Sequence, residues 1–222
     1  MVKIVDKEQI KQLFAEGQRL MIGGFIECGA PHRLIDLLLE SGVGNLTLIG
    51  NDTGFDDQKS GQLVVEKRLS RVIVSHIGTN KETGRQMNRG DLEVELIPQG
   101  TLVEQIRAGG AGLGGVLTPT GIGTPVAEES RTIEVDGREY LLAKPLRADL
   151  ALVKAWKADR DGNLLFRYAA RNFNPVMAMA GDKVVVEAEE IVPAGEIDPN
   201  QVMTPGIFVD YILQNGGEGA SV

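Results

Sequence analysis

The sequence has little cysteine, little histidine and no concentrated positive charge. Its 222 residues contain one cysteine and two histidines, which excludes a disulfide framework within the chain and a cysteine-based zinc cluster. Lysine and arginine total 23 against 31 aspartate and glutamate residues, and they form no basic block. Nucleic acid is therefore not an expected partner.

Long apolar runs are missing as well. No stretch reaches the roughly 18 consecutive apolar residues of a membrane span. Residues 1–14 (MVKIVDKEQIKQLF) are amphipathic and charged, without the basic start and apolar core of a secretory leader. We therefore expect a cytoplasmic protein that does not enter a membrane.

Apolar residues and glycine are abundant. Hydrophobic residues make up 42% of the chain, which suits a packed globular core. The 28 glycines are close to twice the usual share of roughly 7%. Since no repeat or linker interrupts the pattern, we predict one continuous domain over residues 1–222, with about 1–6 and 214–222 frayed.

Short apolar runs alternate with amphipathic segments along the chain. This pattern predicts an α/β fold with an open, mostly parallel, Rossmann-like sheet and flanking helices, because buried parallel strands are continuously hydrophobic. A strand over 20–22 should lead into a helix that starts at Pro31 and stops at Gly42. Asp136-Gly137, between alternating residues, predicts a small β-hairpin elaboration. Further strands are expected at 46–49, 71–75, 92–97, 149–156 and 183–187, and a helix at 101–108.

Three segments follow predicted strands, where ligands gather in open α/β sheets. They are 23–29, 98–101 and the glycine-rich run 109–124. A dinucleotide site is an alternative for the first, but GGFIECG differs from the G-x-G-x-x-G pattern. The phosphate loop that ends in Gly-Lys-Ser or Gly-Lys-Thr is absent from the sequence.

Cys28 and Gln99 are the side chains in these segments that invite a chemical interpretation. A nucleophilic Cys28 would need His32 or His76 as its base, and a buried structural cysteine is the favoured alternative. Gln99 cannot act as an acid or base, yet its NH2 group can donate a hydrogen bond to an oxyanion. A loop-capping glutamine is the alternative. The residues alone thus indicate a ligand-binding α/β domain without a complete catalytic set.

The segment GGFIECGAP resembles the first signature of the family I coenzyme A transferases, which Gly23, Gly24, Phe25, Gly29 and Pro31 match. The resemblance to α subunits of the acetate or acetoacetate type extends from about residue 7 to about residue 213. It includes, in order, NLTLIGNDTG, SHIGTN, PQGTLVEQIRAGGAGLGG, LTPTGIGT, PLRADLAL and ARNFNP.

The resemblance implies an enzyme that moves coenzyme A between a short-chain acyl-CoA and a carboxylate such as acetate, butyrate or acetoacetate. Coenzyme A would be a substrate, and neither a tightly bound cofactor nor a metal is implied. In this family the nucleophile is a glutamate in a Ser-Glu-Asn-Gly-like motif of a β subunit, and that motif is missing here. The expected assembly is α2β2.

The resemblance also assigns site residues. It makes Gln99 the oxyanion donor that faces the partner's glutamate, with Asn51 and Asn80 as further polar lining and 109–115 as the floor of the cleft. A non-catalytic module that binds coenzyme A or a sugar phosphate, and a sugar-phosphate isomerase, remain alternatives. The residues expected to contact coenzyme A are Gly23, Gly24, Phe25, Ile26, Glu27, Cys28 and Gly29.

Overall fold

A computed structural model describes residues 2–128 and 131–214 of the chain, and its elements alternate between strands and helices. The helices are α1 (Lys7–Lys11), α2 (His32–Ser41), α3 (Lys59–Val65), α4 (Lys81–Arg89), α5 (Gln99–Gly110), α6 (Pro125–Glu128) and α7 (Asn174–Ala180). The strands are β1 (Lys3–Val5), β2 (Arg19–Ile22), β3 (Leu46–Ile49), β4 (Leu69–Val74), β5 (Glu93–Leu96), β6 (Val116–Thr118), β7 (Thr132–Val135), β8 (Arg138–Ala143), β9 (Ala148–Asp159), β10 (Leu164–Leu165), β11 (Gly181–Val192) and β12 (Tyr211–Leu213).

The main sheet is open and almost entirely parallel. Its order is β1-β12-β11-β9-β2-β3-β4-β5, and every pair along this path is parallel. The exception is β10, which pairs with β9 in the antiparallel direction. The predicted α/β fold with a mostly parallel sheet and flanking helices is therefore confirmed.

Helices cover both faces of this sheet. Successive side chains of a strand point to opposite faces, so Met21 packs in one core with Leu102 and Ile106 of α5. Its neighbours Leu20 and Ile22 pack in the other core, which α2 enters through side chains such as Leu34. Burial on both faces explains why the strands read as continuous apolar runs.

The local signals at the helix and hairpin ends act as expected. Gly42 ends α2 with a left-handed φ of 77°, a conformation that glycine adopts without steric cost. Asp136 and Gly137 both have positive φ, 51° and 73°, in the turn between β7 and β8. The hairpin belongs to a separate three-stranded sheet of order β6-β8-β7.

Fraying was expected at both ends of the chain, and the structure contradicts it at the N-terminal end. The sequence predicted fraying over about residues 1–6, whereas Lys3–Val5 form β1 and pair in parallel with β12. The pairing residues lie more than 200 positions apart, so no local pattern signals them. The predicted C-terminal fraying falls mainly on residues 215–222, which lie outside the described residues. No helix within the described ranges has the length and apolar character needed to cross a membrane.

Candidate functional site

The turn after β2 is a tight two-residue loop. Phe25 and Cys28 exchange two backbone hydrogen bonds of 3.0 Å, which leaves Ile26 and Glu27 at its tip. Ile26 has a positive φ of 54°, an unfavourable conformation for a β-branched residue. Its amide donates a hydrogen bond of 2.7 Å to Asp52 Oδ2, and this contact holds the strained residue in place.

Packing requires the glycines of this loop. A β-carbon on Gly23 would lie 1.9 Å from Asn174 Oδ1, and one on Gly29 would lie 2.6 Å from the carbonyl oxygen of Ala170. Gly24 and Gly29 also have positive φ, 123° and 73°. The glycine signature is thus explained by close approach within the chain before any ligand is considered.

Asn174 is the side chain that holds this loop against β9, and sequence reasoning missed it. It is fully buried. Its Oδ1 accepts from the amide of Lys154 at 2.9 Å, and its Nδ2 donates to the carbonyls of Gly29 and Ala170 at 3.0 and 2.9 Å. The Asn-Pro dipeptide signals only the start of α7, so the contact to a loop about 150 residues earlier has no local signature.

The residues predicted to contact coenzyme A differ in accessibility. Phe25 and Cys28 are exposed, Ile26, Glu27 and Gly29 are partly buried, and Gly23 and Gly24 are buried. A ligand at this loop therefore meets the outer side of the turn. The cavity beneath it, between Gly24 and Asn51, has a volume of about 20 Å³, enough for about one water molecule.

Cys28 does not have the surroundings of a nucleophile. The prediction of a buried structural cysteine is wrong, because Cys28 is exposed. Its backbone amide and carbonyl pair with Phe25, and its carbonyl also accepts from Asn172 Nδ2 at 2.8 Å. His32 is engaged elsewhere, since its Nε2 lies 2.6 Å from Glu27 Oε2.

The start of α2 is already occupied by a carboxylate from the sheet. Pro31 provides no side-chain cap, and Glu187 Oε2 accepts from the amides of Arg33 and Leu34 at 2.8 and 3.2 Å. Burial raises the pKa of the Glu187 carboxyl above its ordinary value, and the two amides and the Lys154 ammonium oppose that rise. A dinucleotide phosphate needs these helix amides, so Glu187 disfavours the dinucleotide alternative.

Gln99 lies at the same edge of the sheet, after β5. It is the first residue of α5 rather than a residue in a strand-end loop, because Pro98 directly precedes the helix. Gln99 is an exposed residue, and its Nε2 donates to Asn51 Oδ1 at 2.6 Å. A cleft of about 350 Å³ opens between the first turn of α5 and strand β6.

The two asparagines expected to line the site are in different places. Asn51 follows β3 and contacts Gln99. Asn80 is 1% exposed and caps α4, accepting from the amides of Glu82 and Thr83. Asn51 therefore lies beside Gln99, whereas the contacts of Asn80 hold the start of α4.

The glycine run 109–115 begins at the far end of α5. Gly109 is ten positions after Gln99, which corresponds to about 15 Å along a helix. A β-carbon on Gly109 would lie 1.9 Å from the carbonyl oxygen of Leu146, and one on Gly110 would lie 2.6 Å from Met179 Cβ. Packing explains these two glycines, and the floor of the cleft is not built from them.

The side chains at this edge form no metal cluster. Among residues 2–128 and 131–214, no group of three or more histidine, cysteine, aspartate or glutamate residues is arranged to hold a metal ion. The groups gathered beside Gln99 are instead the hydrogen-bonding side chains of Asn51, Asp52 and Ser75. Asp52 only accepts, and Asn51 and Ser75 donate within this group, so the NH2 group of the exposed Gln99 is the donor that can meet a developing negative charge.

Comparison with known proteins identifies the family. The coenzyme A transferase family model matches residues 6–215. The chain is 52% identical over 211 residues to the acetate CoA-transferase subunit alpha of Escherichia coli strain K12, covering 95% of this chain and 96% of that protein. It is 46% identical to the acetoacetyl-CoA:acetate/butyrate CoA transferase alpha subunit of Clostridium acetobutylicum, covering 96% and 97%.

Solved structures show the same fold at lower identity. An acyl-CoA transferase apoenzyme from Escherichia coli O157:H7 matches with a TM-score of 0.85 and 22% identity, covering 96% of this chain and 47% of that one. The chain therefore spans about half the length of that solved protein. Glutaconate coenzyme A-transferase from Acidaminococcus fermentans matches with a TM-score of 0.83 and 20% identity, covering 95% and 75%. The fold and the full-length relatives agree with the sequence motifs, and this chain belongs to the coenzyme A transferase family.

Proposed function

We propose that this chain is a single-domain α subunit that moves coenzyme A between a short-chain acyl-CoA and a carboxylate such as acetate, butyrate or acetoacetate. The near full-length similarity to alpha subunits named for these reactions supports the proposal. In it, coenzyme A is a substrate rather than a bound cofactor, and the catalytic partner is a β subunit in an α2β2 assembly. A cytoplasmic location stays a prediction from the sequence.

The observation that carries the proposal is the placement of Gln99. Its amide nitrogen is fixed by Asn51 at 2.6 Å while the side chain remains exposed. An amide NH2 has two hydrogens, so one N–H remains for a group that approaches from outside. An exposed oxyanion donor without a nucleophile of its own suits half of an active site.

In the proposed mechanism the nucleophile belongs to the partner, as the family resemblance implies. A glutamate of the β subunit attacks the thioester carbonyl carbon, and the carbonyl electrons move to oxygen, which accepts the hydrogen bond from Gln99. Collapse of this tetrahedral intermediate expels the coenzyme A thiolate and leaves a mixed anhydride. The thiolate then attacks the glutamyl carbonyl, releases the first acid and forms a glutamyl-CoA thioester, which the acceptor acid resolves by the reverse sequence.

The loop of residues 23–29 is the proposed contact for coenzyme A. Exposure of Phe25 and Cys28 at the outer side of the turn supports this assignment. Glu187 occupies the amides at the start of α2, so the contact is made through the turn itself rather than through phosphates held by that helix.

Reconstitution tests the proposal. The chain is assayed alone, together with a β subunit that carries the Ser-Glu-Asn-Gly-type glutamate, and with that subunit after Glu→Ala substitution at the nucleophile. Transfer should occur only in the second mixture, and a survey of acyl-CoA donors then defines the substrate. Turnover by the isolated chain would contradict the proposal. Binding of acyl-CoA without turnover in the complete mixture would favour a non-catalytic module.

A further inference from the structure

The carboxylate of Asp52 connects the turn after β2 with Gln99. Its Oδ2 accepts from the amide of Ile26 at 2.7 Å and from Asn51 Nδ2 at 2.6 Å, and its Oδ1 accepts from the amide of Gly54 at 2.8 Å. Asn51 Oδ1 in turn accepts from Gln99 Nε2 at 2.6 Å. One continuous series of hydrogen bonds therefore joins the two sides of the site.

The direction of these bonds follows from the charge of Asp52. A carboxylate can only accept, so Asn51 has to present its Nδ2 donor to Asp52. The opposite atom of the Asn51 amide, Oδ1, then faces Gln99, which has to present Nε2 rather than Oε1. Ser75 Oγ lies 3.1 Å from the same Oδ1 and 2.8 Å from the backbone carbonyl oxygen of Asn51, and its single proton can serve only one of them. The orientation of the Asn51 amide is therefore set by the carboxylate of Asp52.

Burial and strain make this arrangement hard to replace. Asn51 is 4% exposed, so water does not readily substitute for its partners, and an unpaired buried polar group is costly. Ile26 has a φ of 54° and is held by its amide contact to Asp52. The same carboxylate thus fixes a strained turn and the orientation of a distant amide.

We propose that Asp52 is a positioning residue that acts through Asn51 to keep the Gln99 amide nitrogen, with one free N–H, directed at the transition-state oxyanion. The inference rests on the proposed role of Gln99. In Asp52→Asn, an amide nitrogen in the place of Oδ1 faces the amide of Gly54, and one in the place of Oδ2 faces two donors, the amide of Ile26 and Asn51 Nδ2. Rotation of the Asn51 amide relieves one conflict of the second kind, but Asn51 Nδ2 then faces Gln99. The Gln99 amide has to rotate in turn, so that its Oε1 takes the place of Nε2 beside Asn51. A carbonyl oxygen then lies where the oxyanion donor had been.

A double-mutant cycle in the complex with the β subunit tests this mechanism. kcat and KM are measured for the wild type, Asp52→Asn, Gln99→Ala and the double variant. Asp52→Asn should lower kcat by about 10-fold or more. Removal of an oxyanion donor lowers kcat by roughly 100- to 1000-fold, and a donor that points away from the oxyanion loses part of that contribution. In the Gln99→Ala background the same substitution should change kcat by less than about two-fold, within ordinary additivity error.

The matched control is Asp57→Asn, which removes the same charge from an exposed position of the same loop. It should leave kcat unchanged in both backgrounds. Thermal unfolding and size-exclusion chromatography of each complex report whether folding and assembly are retained. A merely structural role for Asp52 would lower kcat by a similar factor with and without Gln99.

An equal fall in both backgrounds overturns the inference, and so does an unchanged kcat in both Asp52→Asn and Asn51→Ala. An unchanged kcat in Gln99→Ala alone refutes the proposed role of Gln99 and the inference with it, while the reconstitution result still stands. If Asp52→Asn does not fold or keeps its kcat, Asn51→Ala enters the same cycle, because it cuts the connection but leaves the contacts of Asp52 to Ile26 and Gly54. Additive effects of Asn51→Ala and Gln99→Ala would then overturn the inference.

Discussion

Asn174 Oδ1 occupies the space beside Gly23, 1.9 Å from where a β-carbon on that residue would lie. We predict that Gly23→Ala lowers the free energy of unfolding by about 1–3 kcal/mol, because overpacking displaces a buried side chain. Asn174 makes three hydrogen bonds that this shift would lengthen. Urea unfolding of the purified chain measures the effect.

Gly84 in α4 is the matched control for that measurement. A β-carbon there would meet nothing within 4 Å. Gly84→Ala should stabilise the chain by about 1 kcal/mol, since alanine favours helix more than glycine does. Equal effects of the two substitutions would contradict the packing explanation of the glycine signature.

Gln99→Ala should lower kcat of the complex by about 100- to 1000-fold with a smaller change in KM, because the donor acts mainly in the transition state. Steady-state kinetics of the complex measures both constants. Gln12→Ala, at an exposed position at the end of α1, serves as the control and should be neutral. An unchanged kcat would mean that Gln99 only begins α5 and has no catalytic role.

Cys28→Ser should retain most activity, because the contacts of Cys28 that hold the turn are made by its backbone. The exposed thiol is nevertheless a useful reporter on the proposed coenzyme A contact. Alkylation of Cys28 by a maleimide, followed by mass spectrometry, should slow when acyl-CoA is added to the complex. The same labelling rate with and without acyl-CoA would argue against contact at this loop.

Glu187 should make stability depend on pH in a defined direction. Burial raises its pKa in the folded chain above the ordinary 4.5, so the folded state binds the proton more tightly than the unfolded state. Its stabilising contribution is fully present below the ordinary pKa and is lost as pH rises through the folded pKa. Relative to Glu187→Gln, the wild type should therefore gain stability as pH falls from 7 toward 5, as measured by urea unfolding at each pH. A constant difference between the two proteins would contradict this.

Glu187→Ala tests the helix-capping contact separately. It leaves the amides of Arg33 and Leu34 without their acceptor, and loss of a cap typically costs about 0.5–2 kcal/mol. Urea unfolding at neutral pH should show this loss, and a more stable Glu187→Ala chain would rule out a net capping benefit.

The sequence predicted the elements with strong local signals and missed those without them. β2 and α2 were predicted because their apolar residues and the glycine at the end of α2 are typical of a buried strand and an amphipathic helix. α4 was not predicted, since its buried residues are Thr83 and Gln86, which leave no apolar periodicity. Its docking depends on hydrogen bonds, including Gln86 Nε2 to the carbonyl of Val64 at 2.8 Å.

The site was predictable in its location but not in its connections. The position of ligands at the carboxyl ends of parallel strands is a general rule, and Gln99 and the glycine loop do lie at the same edge of the sheet, connected through Asn51 and Asp52. Pro98 and Gly100 suggested a loop around Gln99, whereas a proline readily precedes a helix start. The contacts of Asn51 and Asp52 could not be predicted, because they join residues from separate strand ends.

The carboxylate at the start of α2 limits what the proposed coenzyme A contact can use. Coenzyme A carries its negative charges on the nucleotide, far from the reacting sulfur. With Glu187 bound to the amides of Arg33 and Leu34 at the start of α2, those two amides are not available to a phosphate. In the proposed coenzyme A contact, the turn after β2 would therefore meet the thioester through shape and uncharged groups.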